Sequence, residues 1–146
     1  MDLSDYLEED PSRLEPLSRR SLIQIVRIKR LAADRGQAVR YMTARRLVRA
    51  SEDVITMEAL KRRGEMRGSD TYSGPLGEEI ARIASDGPLI ATRLATAGIA
   101  SDHFTEVLLR GRIPSYERIQ SYLRAFAPDL TEKHFHEHAA WRRAHP

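Results

Sequence analysis

The sequence predicts an all-α fold. Apolar residues recur at i, i+3, i+4 and i+7 in one segment after another, and glycine, proline and small polar residues punctuate those segments at helix-length intervals. No alternating strand pattern or hairpin turn interrupts them. Hydrophobic residues make up 41% of the chain and charged residues 31%, which suits a modest core under a solvated surface. With only 3 Phe, 5 Tyr and 1 Trp, that core is expected to rest on Leu, Ile, Val and Ala. A length of 146 residues fits one domain or two small ones.

Residues 1–16 carry acids and two prolines and read as a flexible acidic arm. From Leu17 to about Arg35 the pattern is helical, with Leu22, Ile25, Val26 and Lys29 in register and Ile23, Ile28 and Leu31 widening the apolar face. Gly36 is a stop signal. A second helix is expected over Gln37–Ala50, its arginines at 40, 45, 46 and 49 surrounding an apolar stripe of Val39, Met42 and Leu47. Ser51 is placed to cap a short third helix reaching Leu60. Residues 17–63 thus form a basic helical region. The stretch Gly64–Gly77 holds four glycines, a proline and small polar residues, which makes 64–75 the expected linker.

Beyond it, residues 76–146 divide into five helical segments. The first two are Leu76–Ala84 and Leu89–Ala97, separated by Asp86-Gly87-Pro88. The third opens at Ser101 as its N-cap, with Phe104, Val107 and Leu108 forming its core stripe. Ser115 caps the fourth, where Ile119, Tyr122, Leu123 and Phe126 repeat the spacing until Pro128. Asp129 with Glu132 resembles a capping box for the last.

The segment AGIASDHFTEVLLRGRIPSYERIQSYLRAF resembles the lambda-repressor-like (Cro/repressor, XRE-type) helix-turn-helix family. The resemblance is carried by Gly98-Ile99 in a turn, Ser101 opening a helix, and the RGRIPS run leading into an amphipathic fourth helix. The late Trp141-Arg142-Arg143 is similar to a variety common in actinobacteria and their phages. About a third of the chain, residues 75–127, is covered. Leu94 departs from the pattern, standing where the family usually has a small residue.

The resemblance implies a helix-turn-helix bundle preceded by the basic helical region. It also implies a transcription regulator, a repressor of phage or mobile-element type, acting on double-stranded DNA. The third helix would enter the major groove and show it Ser101, Asp102, Thr105 and Glu106. Thr105 could touch a thymine methyl and Glu106 could accept from a cytosine amino group. Arg110, Arg112, Ser115 and Tyr116 would then contact phosphates.

Charge is uneven. Pro11–Arg67 holds 15 Lys and Arg against 6 Asp and Glu, a net of +9, whereas Gly74–Ala127 holds 6 against 6. A neutral module lacks the nonspecific attraction that usually dominates affinity for DNA. The N-terminal region is therefore expected to supply phosphate contact through Arg40, Arg45, Arg46 and Arg49, because the guanidinium fork pairs with phosphate oxygens.

No P-loop, dinucleotide fingerprint, HExxH or nucleophile elbow occurs, so neither an enzyme nor a cofactor is expected. Cysteine is absent, which removes thiolate chemistry and accords with a reducing cytoplasm. No apolar run is long enough to span a membrane, and the expected location is cytoplasmic, with the nucleoid. His134, His138, Trp141 and His145 share one side of the last helix, but no third metal ligand is evident and no metal is expected. Tyr41, Tyr72 and Tyr116 are too scattered for RNA stacking.

A homodimer on paired half-sites is the common family arrangement. The apolar face of 22–31 and the last helix are its candidate surfaces here. The competing class is a protein-interaction module, such as an antitoxin or an RNA-polymerase-binding factor, in which DNA binding is secondary.

Overall fold

Ten α-helices and two short 3-10 turns, with no strand, make up the fold; the computed structural model describes residues 1–146. No helix is long and apolar enough to cross a membrane. The chain divides into two compact units, Met1–Ser69 with Ser85–Gly87, and Asp70–Ala84 with Pro88–Pro146.

In the first unit the acidic N-terminus is ordered, where a flexible arm was expected. Asp2 caps α1 (Leu3–Glu9), accepting from the Ser4 amide at 2.8 Å. Leu3 is fully buried. The Asp2 carboxylate also takes both Nε and Nη2 of Arg63, at 2.7 and 2.8 Å. Arg63 is itself buried, and its Nη1 donates to the carbonyls of Leu31 and Asp34. Burial alone would raise the Asp2 pKa, yet the Arg63 and Ser4 hydrogen bonds hold it below the ordinary carboxylate value.

The single helix expected over 17–35 is two, α2 (Leu14–Ser21) and α3 (Ile25–Ala33). Serine side chains cause the break. Ser18 Oγ donates to the Ile23 carbonyl at 2.6 Å and Ser21 Oγ accepts from the Ile23 amide at 3.2 Å, which offers the backbone an alternative to the helix. Leu22 sits at φ 60° in the gap. The apolar face divides accordingly. Ile23, Ile28 and Leu31 go inward, while Leu22, Ile25 and Val26 stay exposed.

Helix α4 (Tyr41–Ala50) starts four residues later than expected, with Arg40 as its N-cap. Its stripe of Ala44 and Leu47 is fully buried. Ser51 caps no helix. Its Oγ bonds Val48 O and the Ile55 amide, and Thr56 instead caps α5 (Met57–Lys61). These helices close over Leu3, Leu17, Ile28, Leu47, Ile55 and Leu60.

The second unit begins inside the stretch expected as linker, with a 3-10 turn at Asp70–Tyr72 followed by α6 (Gly74–Ala84). Gly77 allows this close start, because a Cβ there would lie 2.6 Å from the Tyr72 carbonyl carbon. Next come α7 (Ile90–Thr96), α8 (Ser101–Arg110), α9 (Tyr116–Ala125) and α10 (Glu132–Ala144). Phe104 meets Tyr122 at 4.8 Å and Phe126 at 5.3 Å between ring centroids, and Tyr122 meets Phe135 at 5.7 Å. Burying each such ring contributes roughly 2–3 kcal/mol. Leu94, the departure from the family pattern, is buried in this core.

Two terminal details differ from expectation. Ser101 is the first helical residue of α8, its N-cap being Ala100. Thr131 and His134, rather than Asp129 and Glu132, form the capping box of α10. Asp129 instead pairs with Arg82 at 3.2 Å.

Candidate nucleic-acid interface

Helix α7 ends in a glycine turn that launches α8. Leu94 O accepts the Ala97 and Ile99 amides at 3.1 and 2.9 Å, and Gly98 turns the chain at φ 72°. That left-handed conformation satisfies the last carbonyls of α7 and suits a residue without Cβ. Phe104, Val107 and Leu108 anchor α8 to the core, leaving Ser101, Asp102, His103, Thr105, Glu106, Leu109 and Arg110 on its exposed side. All four residues assigned to base readout, Ser101, Asp102, Thr105 and Glu106, therefore lie on one open surface.

Their chemistry is more restricted than their exposure implies. Thr105 Oγ1 donates to the Ser101 carbonyl at 3.1 Å, so its proton is engaged within the helix while the oxygen can still accept. Asp102 lies in the first turn of α8, where the helix dipole favours an acid. Glu106 stands 3.9 Å from Arg110 and 3.8 Å from Arg112, so the acid is offset by two cations. Surface pairs of this kind are worth about 1 kcal/mol or less. They matter here for local charge rather than stability.

The phosphate-contact set behaves unevenly. Arg110 and Arg112 are exposed, and Tyr116, at 70% exposure, is the most open aromatic of the chain. Ser115 caps α9, accepting from the Arg118 amide at 3.4 Å, which leaves its proton available to an acceptor. Two exposed neighbours escaped the sequence reading. Arg118 donates to His103 Nδ1 at 3.1 Å, which makes that nitrogen an acceptor. His103 could have been found from helical spacing, since it lies three residues before Glu106 on the same flank of α8.

In the first unit the four arginines assigned to phosphate do not form one face. Arg46 is buried, with Nε donating to Ser21 O at 2.7 Å and Nη2 to Gly87 O at 2.6 Å. It is a structural residue rather than the phosphate ligand that the sequence suggests. Arg45 is half-buried, with its guanidinium 5.9 Å from the Tyr41 ring centroid. Arg49 is exposed and 3.5 Å from Asp86. Arg40, at the head of α4, is exposed.

The histidines on and just after α10 have separate tasks. His138 is buried; its Nδ1 accepts from the Leu76 amide at 3.2 Å and its Nε2 faces the Leu108 carbonyl at 2.7 Å. These partners require the neutral Nε2–H tautomer, and burial lowers its pKa. His134 closes the capping box, and His145 stacks on Trp141 with ring centroids 4.4 Å apart. No group of three or more His, Asp or Glu side chains is placed to hold a metal ion.

Comparison with protein-family models, with curated proteins and with solved structures gave no match. The reading of this surface rests on its own geometry: a short helix, a glycine turn, and a second helix whose open side is polar and bordered by arginines.

Proposed function

We propose that α7, the Gly98 turn and α8 form a helix-turn-helix and that the chain is a sequence-specific regulator acting on double-stranded DNA, a repressor of phage or mobile-element type. The observation that carries this reading is the two-sided character of α8. Its apolar side is locked by Phe104, Val107 and Leu108, and its open side offers hydrogen-bonding groups flanked by Arg110, Arg112 and Arg118. An α-helix with such a side fits the major groove, where base edges are distinguishable. Arg112, Arg118, Ser115 and Tyr116 suit phosphate contact, which sets register without reading sequence.

Selection of bound duplexes from a random pool by the full chain tests it. Enrichment of a defined site is expected. Thr105→Ala and Glu106→Ala should relax that preference, whereas Arg112→Ala and Arg118→Ala should weaken all duplexes alike. Failure to enrich any site, with every variant indistinguishable, overturns the reading.

A protein-interaction role is the second reading. The exposure of Leu22 at 50% and Val26 at 65% favours it. Size-exclusion with light scattering and partner pull-down discriminate the two. A complex with a different protein that Val26→Ser abolishes favours this reading, whereas self-association alone fits the dimer of the first.

A further inference from the structure

Besides its core, the first unit has a groove of roughly 350 Å³ between α3 and the segment leading into α4. Arg27, Arg30 and Arg40 line it, and no carboxylate does. Two other grooves of this unit are mixed in sign. One brings Arg35, Arg62 and Arg63 beside Asp2 and Asp5, and the other brings Arg20 and Arg49 beside Glu52, Asp53 and Asp86. The arginine groove is the one whose charge has no internal answer. Close like charges repel one another, and an anion among them would remove that cost.

The walls narrow the kind of anion. Leu31 and Val39 are buried and give the groove an apolar side, which Val26 extends. Gln24 and Gln37 add amides that can both donate and accept. Arg27 is held from behind, its Nη2 donating to Thr43 Oγ1 at 3.2 Å, so one edge of its fork is oriented before any ligand arrives. No side chain caps the head of α4, where Arg40 is the N-cap, so the partial positive charge of that helix end adds to the field. A phosphate presents three oxygens that can accept from several guanidinium forks at once, whereas a carboxylate presents two. The volume falls at the lower end of ligand pockets, about 300–1,000 Å³. An ion alone would leave the apolar wall and the amides without a partner.

We propose that this groove binds the phosphate of a nucleoside phosphate, with the three arginines on the phosphate and the apolar wall against the nucleoside. The phosphate is a terminal one, as on a free nucleotide, because a backbone phosphodiester exposes only two free oxygens and a duplex keeps its bases paired away from the wall. The proposal does not depend on the second unit's contact with DNA. Of the four first-unit arginines that the sequence assigns to phosphate it keeps Arg40, and it adds Arg27 and Arg30 of α3.

Calorimetric titration of the full chain at low salt tests it, with ADP, a short mixed-sequence duplex and poly-glutamate as the probes. Saturable binding of ADP is expected, with affinity falling at least roughly tenfold in Arg27→Gln/Arg30→Gln/Arg40→Gln. The matched variant Arg19→Gln/Arg62→Gln/Arg67→Gln removes the same charge from exposed positions outside the groove and should lose much less. Duplex binding that the groove variant leaves unchanged belongs to the second unit, and binding of the duplex without ADP overturns the proposal. The proposal is overturned if ADP does not bind saturably, if both triple variants lose equally, or if poly-glutamate binds as well as ADP. Unchanged circular dichroism in the groove variant separates lost binding from lost folding. Failure of duplex selection through Thr105 and Glu106 would leave these outcomes unaffected.

Discussion

Glu106 and Arg112 face one another at the end of α8, Oε2 to Nη1 at 3.8 Å. Gly111, at φ 68°, ends the helix in the left-handed conformation, and Arg112 follows it directly. The acid therefore holds two arginines, since Arg110 also lies 3.9 Å away. On the DNA-binding reading, Glu106→Gln should strengthen binding to nonspecific duplex and steepen its salt dependence by about one counterion. The slope of log affinity against log salt measures this; an unchanged slope would mean that Glu106 does not temper the arginines.

The Asp2–Arg63 pair should be a main stabiliser of the first unit. Arg63 is 2% exposed at its side chain, so Asp2→Ala leaves a buried guanidinium short of its only carboxylate. A loss of about 3 kcal/mol is expected in urea unfolding. Because the folded pKa of Asp2 is lowered from 3.8, its stabilisation is complete above that value. It declines as pH falls below 3.8 toward the folded value, where the native carboxylate also protonates. Asp2→Asn should flatten that acid limb.

His138 gives the second unit a different pH window. Its pKa is lowered from 6.5 by burial, so the unfolded chain takes up a proton first as pH falls. Stability is full above about 6.5 and declines below it until the folded histidine protonates. The protonated ring would also set an N–H against the Leu76 amide, which now donates to Nδ1. His138→Gln retains one donor and one acceptor and should abolish this limb while leaving the acid limb of Asp2. Thermal melts between pH 7 and 5 would show whether the dependence survives in the variant; if it does, another group is responsible.

Two glycines with similar backbone angles should respond unequally to alanine. At Gly98 a Cβ would meet nothing within 4 Å, so Gly98→Ala costs only the left-handed conformation, about 1 kcal/mol. At Gly111 a Cβ would lie 2.7 Å from the Arg142 Cβ, so steric displacement of α10 adds to the same conformational cost. Chemical denaturation should rank Gly111→Ala clearly below Gly98→Ala. Equal losses would argue against the close approach of α10.

Tyr122 carries a buried hydroxyl without a hydrogen-bond partner. Removing an unsatisfied polar group while keeping the ring should stabilise, so Tyr122→Phe is expected to gain about 1 kcal/mol. The ring contacts with Phe104 and Phe135 would be retained. A destabilised variant in a calorimetric melt would show that the hydroxyl does have a role.

Local spacing alone determined the all-helical class and the core sides of α8 and α9. Phe104, Val107, Leu108, Ile119, Tyr122 and Phe126 meet within one or two helical turns, and all of them are buried. The same spacing left Ser101, Thr105 and Glu106 open to solvent. Tertiary structure decided which polar residues became part of the scaffold. Arg46 and Arg49 look alike in sequence, but Arg46 is drawn inward by carbonyls 25 and 41 residues away. Asp2 reads as part of a loose acidic arm until Arg63, 61 residues on, is placed beside it. The helix expected through Leu22 breaks because two serines bond the Ile23 backbone, a competition that apolar periodicity does not register. Periodicity reports which side of a helix avoids water; the partner of a buried charge depends on chain segments that only folding brings together.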